Sequence, residues 1–159
     1  MTDGDYTAAR GVVSLTVPAE VAIGRIWRIE ITELGRPLTA NQVRRIRNRH
    51  QLAALVRAWH DAGTVLARAN RIPRLGGVHV WAWGRYPDRR SLPDADAVAP
   101  AVKAVVDGIV AAGVLPDDKP PHVQAVTYCA PVVAPGLPPA LVVRLVPVPD
   151  WVHPAEGEA

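Results

Sequence analysis

Apolar residues return every third or fourth position through Leu52, Leu55, Val56, Trp59 and Leu66, and every second position in the segments on either side. An α-helix turns every 3.6 residues and a strand alternates its faces, so no single kind of element satisfies both periods. The chain is therefore a mixture of helix and sheet. Arg25 to Leu34 sets Ile26, Arg28, Glu30 and Thr32 against Trp27, Ile29 and Ile31, a strand that Gly35-Arg36-Pro37 closes. The helix starts at Asn41 or Asn48 and runs to about Arg68 with a basic outer face. Ile72-Pro73 and Gly76-Gly77 mark a loop, Val78 to Trp83 alternates as a second strand, and Tyr86 to Pro93 is loop again.

Pro100 suits the first turn of a second helix, where its missing N–H leaves nothing unpaired. Val98, Val102, Val105, Ile109 and Ala112 form its apolar stripe, and Gly113 is placed to cap it. Val123 to Ala130 and Ala140 to Val148 are strands separated by a Pro- and Gly-rich loop. The expected fold is α/β (α+β), a single domain with a small mixed sheet of about four strands packed with two main helices. Residues 1–24 lack periodicity and read as a flexible N-terminal extension, 25–149 as the folded domain, and 150–159 as a tail that Trp151 could tack down.

At 159 residues the chain can bury a real core. No apolar run approaches the roughly 18 residues of a membrane span, and no basic-then-apolar leader opens the chain, so the expected location is the cytoplasm. The single Cys129 reads as a buried structural thiol.

The net charge of +3 hides an asymmetry. Residues 36–90 hold twelve arginines against Asp61 and Asp88, while most of the acids lie downstream. GC-rich coding accounts for sixteen Arg beside two Lys, but not for the crowding of charge into one segment. Arg44, Arg45, Arg47, Arg49, Arg89 and Arg90 are candidate phosphate contacts, since a basic surface of this density suits a nucleic-acid backbone.

Inside this basic chain, Asp94, Asp96, Asp107, Asp117 and Asp118 fall within twenty-five residues together with Lys103. Carboxylates so close repel one another unless they are solvated or neutralised by a cation. A helix from Pro100 to Ala112 is about 18–20 Å long. If Gly113 reverses the chain, the extended stretch after it spans a similar distance and returns Asp118 towards the helix start. Oxygen ligands suit Mg²⁺, which polarises a phosphoryl oxygen and acidifies a bound water, while a lysine stabilises developing charge. The plainer alternative is a solvated acidic loop with Lys103–Asp107 as a surface ion pair.

The run from Asp94 through Pro100, Lys103, Asp107-Gly108, Ala112-Gly113-Val114 to Asp117-Asp118 resembles the RusA-type Holliday junction resolvases, in particular a branch found in bacteriophages and actinobacteria. Pro87-Asp88-Arg89-Arg90 and Pro37-Leu38-Thr39-Ala40-Asn41 extend the likeness, which covers about residues 26–148. The resemblance implies a Mg²⁺-dependent (alternatively Mn²⁺-dependent) homodimeric endonuclease that resolves four-way DNA junctions by paired nicks. It implies Asp94, Asp96 and Asp118 as catalytic metal-binding aspartates, Lys103 as the catalytic lysine, and Asp117 and Asp107 as weaker additions. Two positions depart from the pattern: Ala97 stands where the family has Asn, and Lys119 with Pro120-Pro121 follows the paired aspartates. Losing the Asn removes a side chain that could cap the helix, but no carboxylate.

Three readings follow: a structure-selective DNA endonuclease, a catalytically inactive RusA-like DNA-binding protein, and a small-molecule phosphohydrolase. His50, His60, His79, His122 and His153 lack zinc-like spacing, and only His122 lies near the acidic run. Trp27, Trp59, Trp81 and Trp83 are expected to pack in core or half-core positions, with base stacking by Trp83 or Tyr86 as the lesser alternative. Neither G-x-x-x-x-G-K nor G-x-G-x-x-G occurs.

Overall fold

The computed structural model describes residues 25–148. The expected extension over 1–24, the residues from 149 onward, Trp151 and His153 lie outside them. The fold is α+β: one mixed sheet packed by helices, with strands β1 (Trp27–Ile31), β2 (Val78–Tyr86), β3 (Val123–Tyr128), β4 (Val132–Val133) and β5 (Ala140–Pro147). The helices are α1 (Ala40–Arg45), α2 (Arg49–Ala69) and α3 (Ala99–Ala111), the last preceded by a 3₁₀ turn over Ala95–Val98. The strand order is β1-β5-β2-β3, and β4 adds a two-residue pairing to the end of β2. β5 is antiparallel to both β1 and β2, whereas β3 runs parallel to β2. A parallel pair requires a crossover, and α3 supplies it.

The helix expected to begin at Asn41 or Asn48 is in fact two helices, each start having its own cap. Thr39 and Gln42 form a reciprocal capping box at α1, and the Asn48 side chain accepts from the N–H groups of His50 and Gln51 at α2. Ile46 and Asn48 adopt extended backbone, which ends one helix and prepares the next. β2 continues past Trp83 to Tyr86, because β5 still pairs with it as far as Arg85 and β4 takes up Arg85 and Tyr86. β4 lies inside the stretch expected to be loop.

The core lies between one sheet face and α2–α3. Ile29, Ile31, Val78, Val80, Ala82, Leu141, Val143 and Leu145 are fully buried there, under Trp59, Val102, Val105 and Ile109. The buried face of α2 consists of Trp59, Gly63 and Ala67, while Leu55 (37% exposed) and Val56 (38%) are not core residues as their spacing suggested. The reason is the point of closest approach. A Cβ on Gly63 would stand 2.6 Å from the Val105 carbonyl oxygen, and one on Gly108 would stand 2.0 Å from that of His60. The helices touch backbone to backbone at these glycines, which turns the C-terminal half of α2 towards α3.

Trp59 is buried and Trp27 packs against the core. Trp81, expected in a core or half-core position, is 40% exposed, because it belongs to the other register of β2 and faces away from the helices. Beside it Trp83 lies under the Arg144 guanidinium, 4.9 Å from the ring centroid. Cys129 is only partly buried.

Candidate functional site

Gly113 adopts a left-handed φ of +84° just past the end of α3, a backbone conformation open to glycine and costly to most residues. Its N–H bonds the Val110 carbonyl, and the next N–H, that of Val114, bonds the Ile109 carbonyl. This paired motif ends the helix and reverses the chain. Val114 and Leu115 are then buried, which anchors the returning strand of chain. Asp117 and Asp118 follow, and Asp118 reaches Lys103, fifteen positions earlier and one turn into α3.

Lys103 sits between two acids. Its Nζ donates to Asp107 Oδ1 at 2.6 Å and also to Asp118 Oδ2. Asp107 is four residues along the same helix face, and Asp118 comes from the returning segment. The hydrogen bonds to Asp107 and then Asp118 raise the pKa of the ammonium above its ordinary value. Lys103, with Asp117 second, holds the Asp118 carboxyl at about 2. The Asp117 carboxylate accepts from the Asp118 N–H at 2.7 Å, fixing the turn. Lys103 and Asp118 thus stay ionised across the neutral range, and the lysine side chain remains 62% exposed.

Asp94 and Asp96 flank the start of the 3₁₀ turn that leads into α3. The Asp94 carbonyl accepts from the Ala97 N–H at 3.1 Å, so backbone bonding closes this turn. Neither carboxylate makes a hydrogen bond or ion pair among the described residues, and both are exposed. Asp96 lies near enough to Tyr128, at the end of β3, to help burial raise the phenol's pKa. The structure therefore joins Lys103, Asp107, Asp117 and Asp118, and sets Asp94 and Asp96 on the approach to the same helix. Among the described residues, no three carboxylate, histidine or cysteine groups gather closely enough to hold a metal ion. In donor chemistry the carboxylates suit a hard divalent cation: Asp94 and Asp96 are free oxygen donors and Asp118 is ionised, with its Oδ2 engaged by Lys103.

The candidate arginines are exposed on several elements. Arg44 and Arg45 close α1, Arg47 lies between the helices, and Arg49 opens α2, all exposed. Arg89 and Arg90, also exposed, sit in the loop that leads from β2 to Asp94. Asp88 accepts from the Arg90 N–H at 2.8 Å, and Arg36 Nη2 donates to the Arg90 carbonyl at 3.3 Å. Arg36 is the link that periodicity could not reveal, since it joins segments 54 positions apart. It also lies over the Tyr86 ring, 5.1 Å from the centroid. His122, the one histidine near the acidic run, is committed elsewhere, with Nδ1 2.7 Å from the Gly76 carbonyl. No protein-family model matches the chain, and no curated protein matches it.

Proposed function

We propose that this protein is a divalent-metal-dependent, structure-selective DNA endonuclease of the RusA type, which resolves four-way junctions by paired nicks. The observation that carries the reading is the placement of Lys103: one turn into α3, exposed, and joined to Asp118 by the chain reversal at Gly113. Asp94 and Asp96 stand on the turn into that same helix, and the loop before them carries Arg89 and Arg90. A Mg²⁺ ion (or Mn²⁺) held by Asp94, Asp96 and Asp118, with Asp117 beside them, would supply a polarised phosphoryl oxygen and an acidified water. The remaining work falls to the chain. Arg44, Arg45, Arg47, Arg49, Arg89 and Arg90 hold phosphates, and Lys103 stabilises charge that grows on the phosphate in the transition state.

A four-way junction has two-fold symmetry, so a homodimer would present one site to each of two opposed strands. The setting for this work is DNA recombination or repair in the cytoplasm of a bacterium or a phage-infected host. Among the described residues no helix is long and apolar enough to cross a membrane.

The test is a synthetic four-way junction incubated with the protein with and without Mg²⁺. Paired nicks that require the metal are expected. Binding without nicking at any metal concentration would instead support the second reading, a catalytically inactive junction-binding protein. Two observations favour that alternative: Ala97 in place of the family Asn, and an Asp118 carboxylate already engaged by Lys103. Cleavage of a free nucleotide alone would point to a phosphohydrolase. In either DNA-binding reading, affinity falls steeply with salt, and neutralising Arg89 with Arg90 flattens the log–log slope by about 0.9 for each phosphate that the variant no longer neutralises. A salt-independent affinity would contradict both.

A further inference from the structure

The exposed Leu55 lines a cavity of about 720 Å³ between the β1–α1 turn, α1 and the first half of α2. Sites that enclose a small ligand run from roughly 300 to 1,000 Å³. Arg36, Arg45 and Arg47 contribute positive charge, and Leu38, Leu55 and Trp59 an apolar wall. A second cavity, of about 380 Å³, adjoins it, for Arg36, Gln42 and Arg45 line both. This one extends to Pro93, the residue before Asp94. No carboxylate lines either cavity, so both favour an anion. Tyr86 forms part of the second wall; it is 2% exposed, and its hydroxyl has no hydrogen-bond partner among the described residues. An unmet buried donor is costly in a finished structure and calls for an explanation.

We propose that the two cavities form one track for an unpaired nucleotide of a DNA strand. The base lies in the larger cavity against Leu55, with Leu38 and Trp59 behind it. The adjoining phosphate rests between Arg36 and Arg45, and the strand leaves past Tyr86 and Pro93 towards Asp94. The chemistry is that of a nucleotide, an apolar ring with hydrogen-bonding edges beside an anion, and the side chains match each part. A base within an intact duplex is stacked and cannot enter, whereas one at a branch point is more readily released. The track rests on the proposed function for its DNA strand, but the ligand class rests on the cavities alone.

The test measures binding of the full chain to a short oligothymidylate and to thymidine monophosphate, at one ionic strength. Leu55→Glu places a carboxylate inside the track. Ala54→Glu places the same charge one residue along, on the flank that His50, Arg57 and Asp61 share. The inside charge is expected to lower oligothymidylate affinity roughly ten-fold or more, the scale of losing one seated base, and the outside charge no more than about three-fold. Arg45→Ala, which opens both cavities without adding an acid, is expected to weaken binding as well. Melting curves establish that each variant is folded. Equal losses for Leu55→Glu and Ala54→Glu, or none for Arg45→Ala, overturn the track while leaving DNA binding in place. Binding of the monophosphate but not of the oligonucleotide supports the nucleotide site and removes the DNA strand from it. Absence of binding to both overturns the track.

Discussion

Helix α3 has two faces that are built in opposite ways. On the face towards α2, Gly108 meets the backbone of His60, and Gly63 of α2 meets that of Val105. Thr64 Oγ1 donates to the Gly108 carbonyl at 2.9 Å and to the His60 carbonyl at 3.2 Å. There is no room for a methyl group at that crossing, and its polar atoms are satisfied within it. On the other face Lys103 and Asp107 point outward and are joined by Asp118. One face supplies close packing. The other holds charges in water, where an ion pair adds little to stability. A single helix can thus be closely packed and highly charged at once, because its packing and its outer charges depend on different residues.

Four measurements test that separation. The largest expected effect is at Asp96. Asp96→Asn is expected to abolish junction cleavage while junction binding stays the same or tightens, since negative charge leaves the edge proposed to meet phosphate. Full cleavage by this variant would end the assignment of the acidic edge as the active site.

Lys103→Ala comes next, with an expected 10²–10³-fold loss in single-turnover cleavage, the range for removing one electrostatic stabiliser. Its stability should change by less than about 1 kcal/mol, because the pair with Asp107 is exposed. An unchanged rate would make Lys103 structural and favour the inactive, DNA-binding reading.

Gly108→Ala reverses the pattern. Overpacking the crossing should cost about 1–3 kcal/mol in chemical denaturation, with cleavage per folded molecule unchanged at low temperature. A stable variant with lost cleavage would show that the two faces are coupled.

The smallest effect is a titration. Lys103 holds the Asp118 carboxyl at about 2, below the ordinary value of 3.8. A depressed carboxyl stabilises the fold above its unfolded pKa and loses that contribution as pH falls through the folded one. The contribution of the pair should therefore be intact above about pH 4 and fade towards about pH 2. In Lys103→Ala the Asp118 titration, followed by NMR, should move up towards the ordinary range; a titration that stayed near 2 would assign the shift to Asp117 and the backbone instead.

The α+β class, the second helix, its stripe of Val98, Val102, Val105 and Ile109, and the reversal at Gly113 were all legible in the chain, because each depends on neighbours within a turn or two. The start at Asn48 was legible too, but the expectation of one helix from Asn41 or Asn48 hid a break: Thr39 caps a separate short helix and Asn48 the long one. The acidic residues were legible as a composition, and the return of Asp118 towards the start of α3 as a consequence of reversal; its pairing with Lys103 was not. The buried face of α2 was not, since a period marks which residues are apolar and not where a partner helix will touch them. Gly63 and Gly108 are silent in a periodicity analysis for the same reason: their value is the absence of a side chain at a contact made by another segment.

Local propensity and spacing, then, determined the elements and the order of charges along them, because those forces act between residues close in sequence. Tertiary structure alone decided that Arg36 would hold the Arg90 loop, that Trp81 would face away from the core, and that Leu55 would wall a basic cavity. Each depends on chain segments far apart in sequence, whose meeting is set by the packing of whole helices against the sheet.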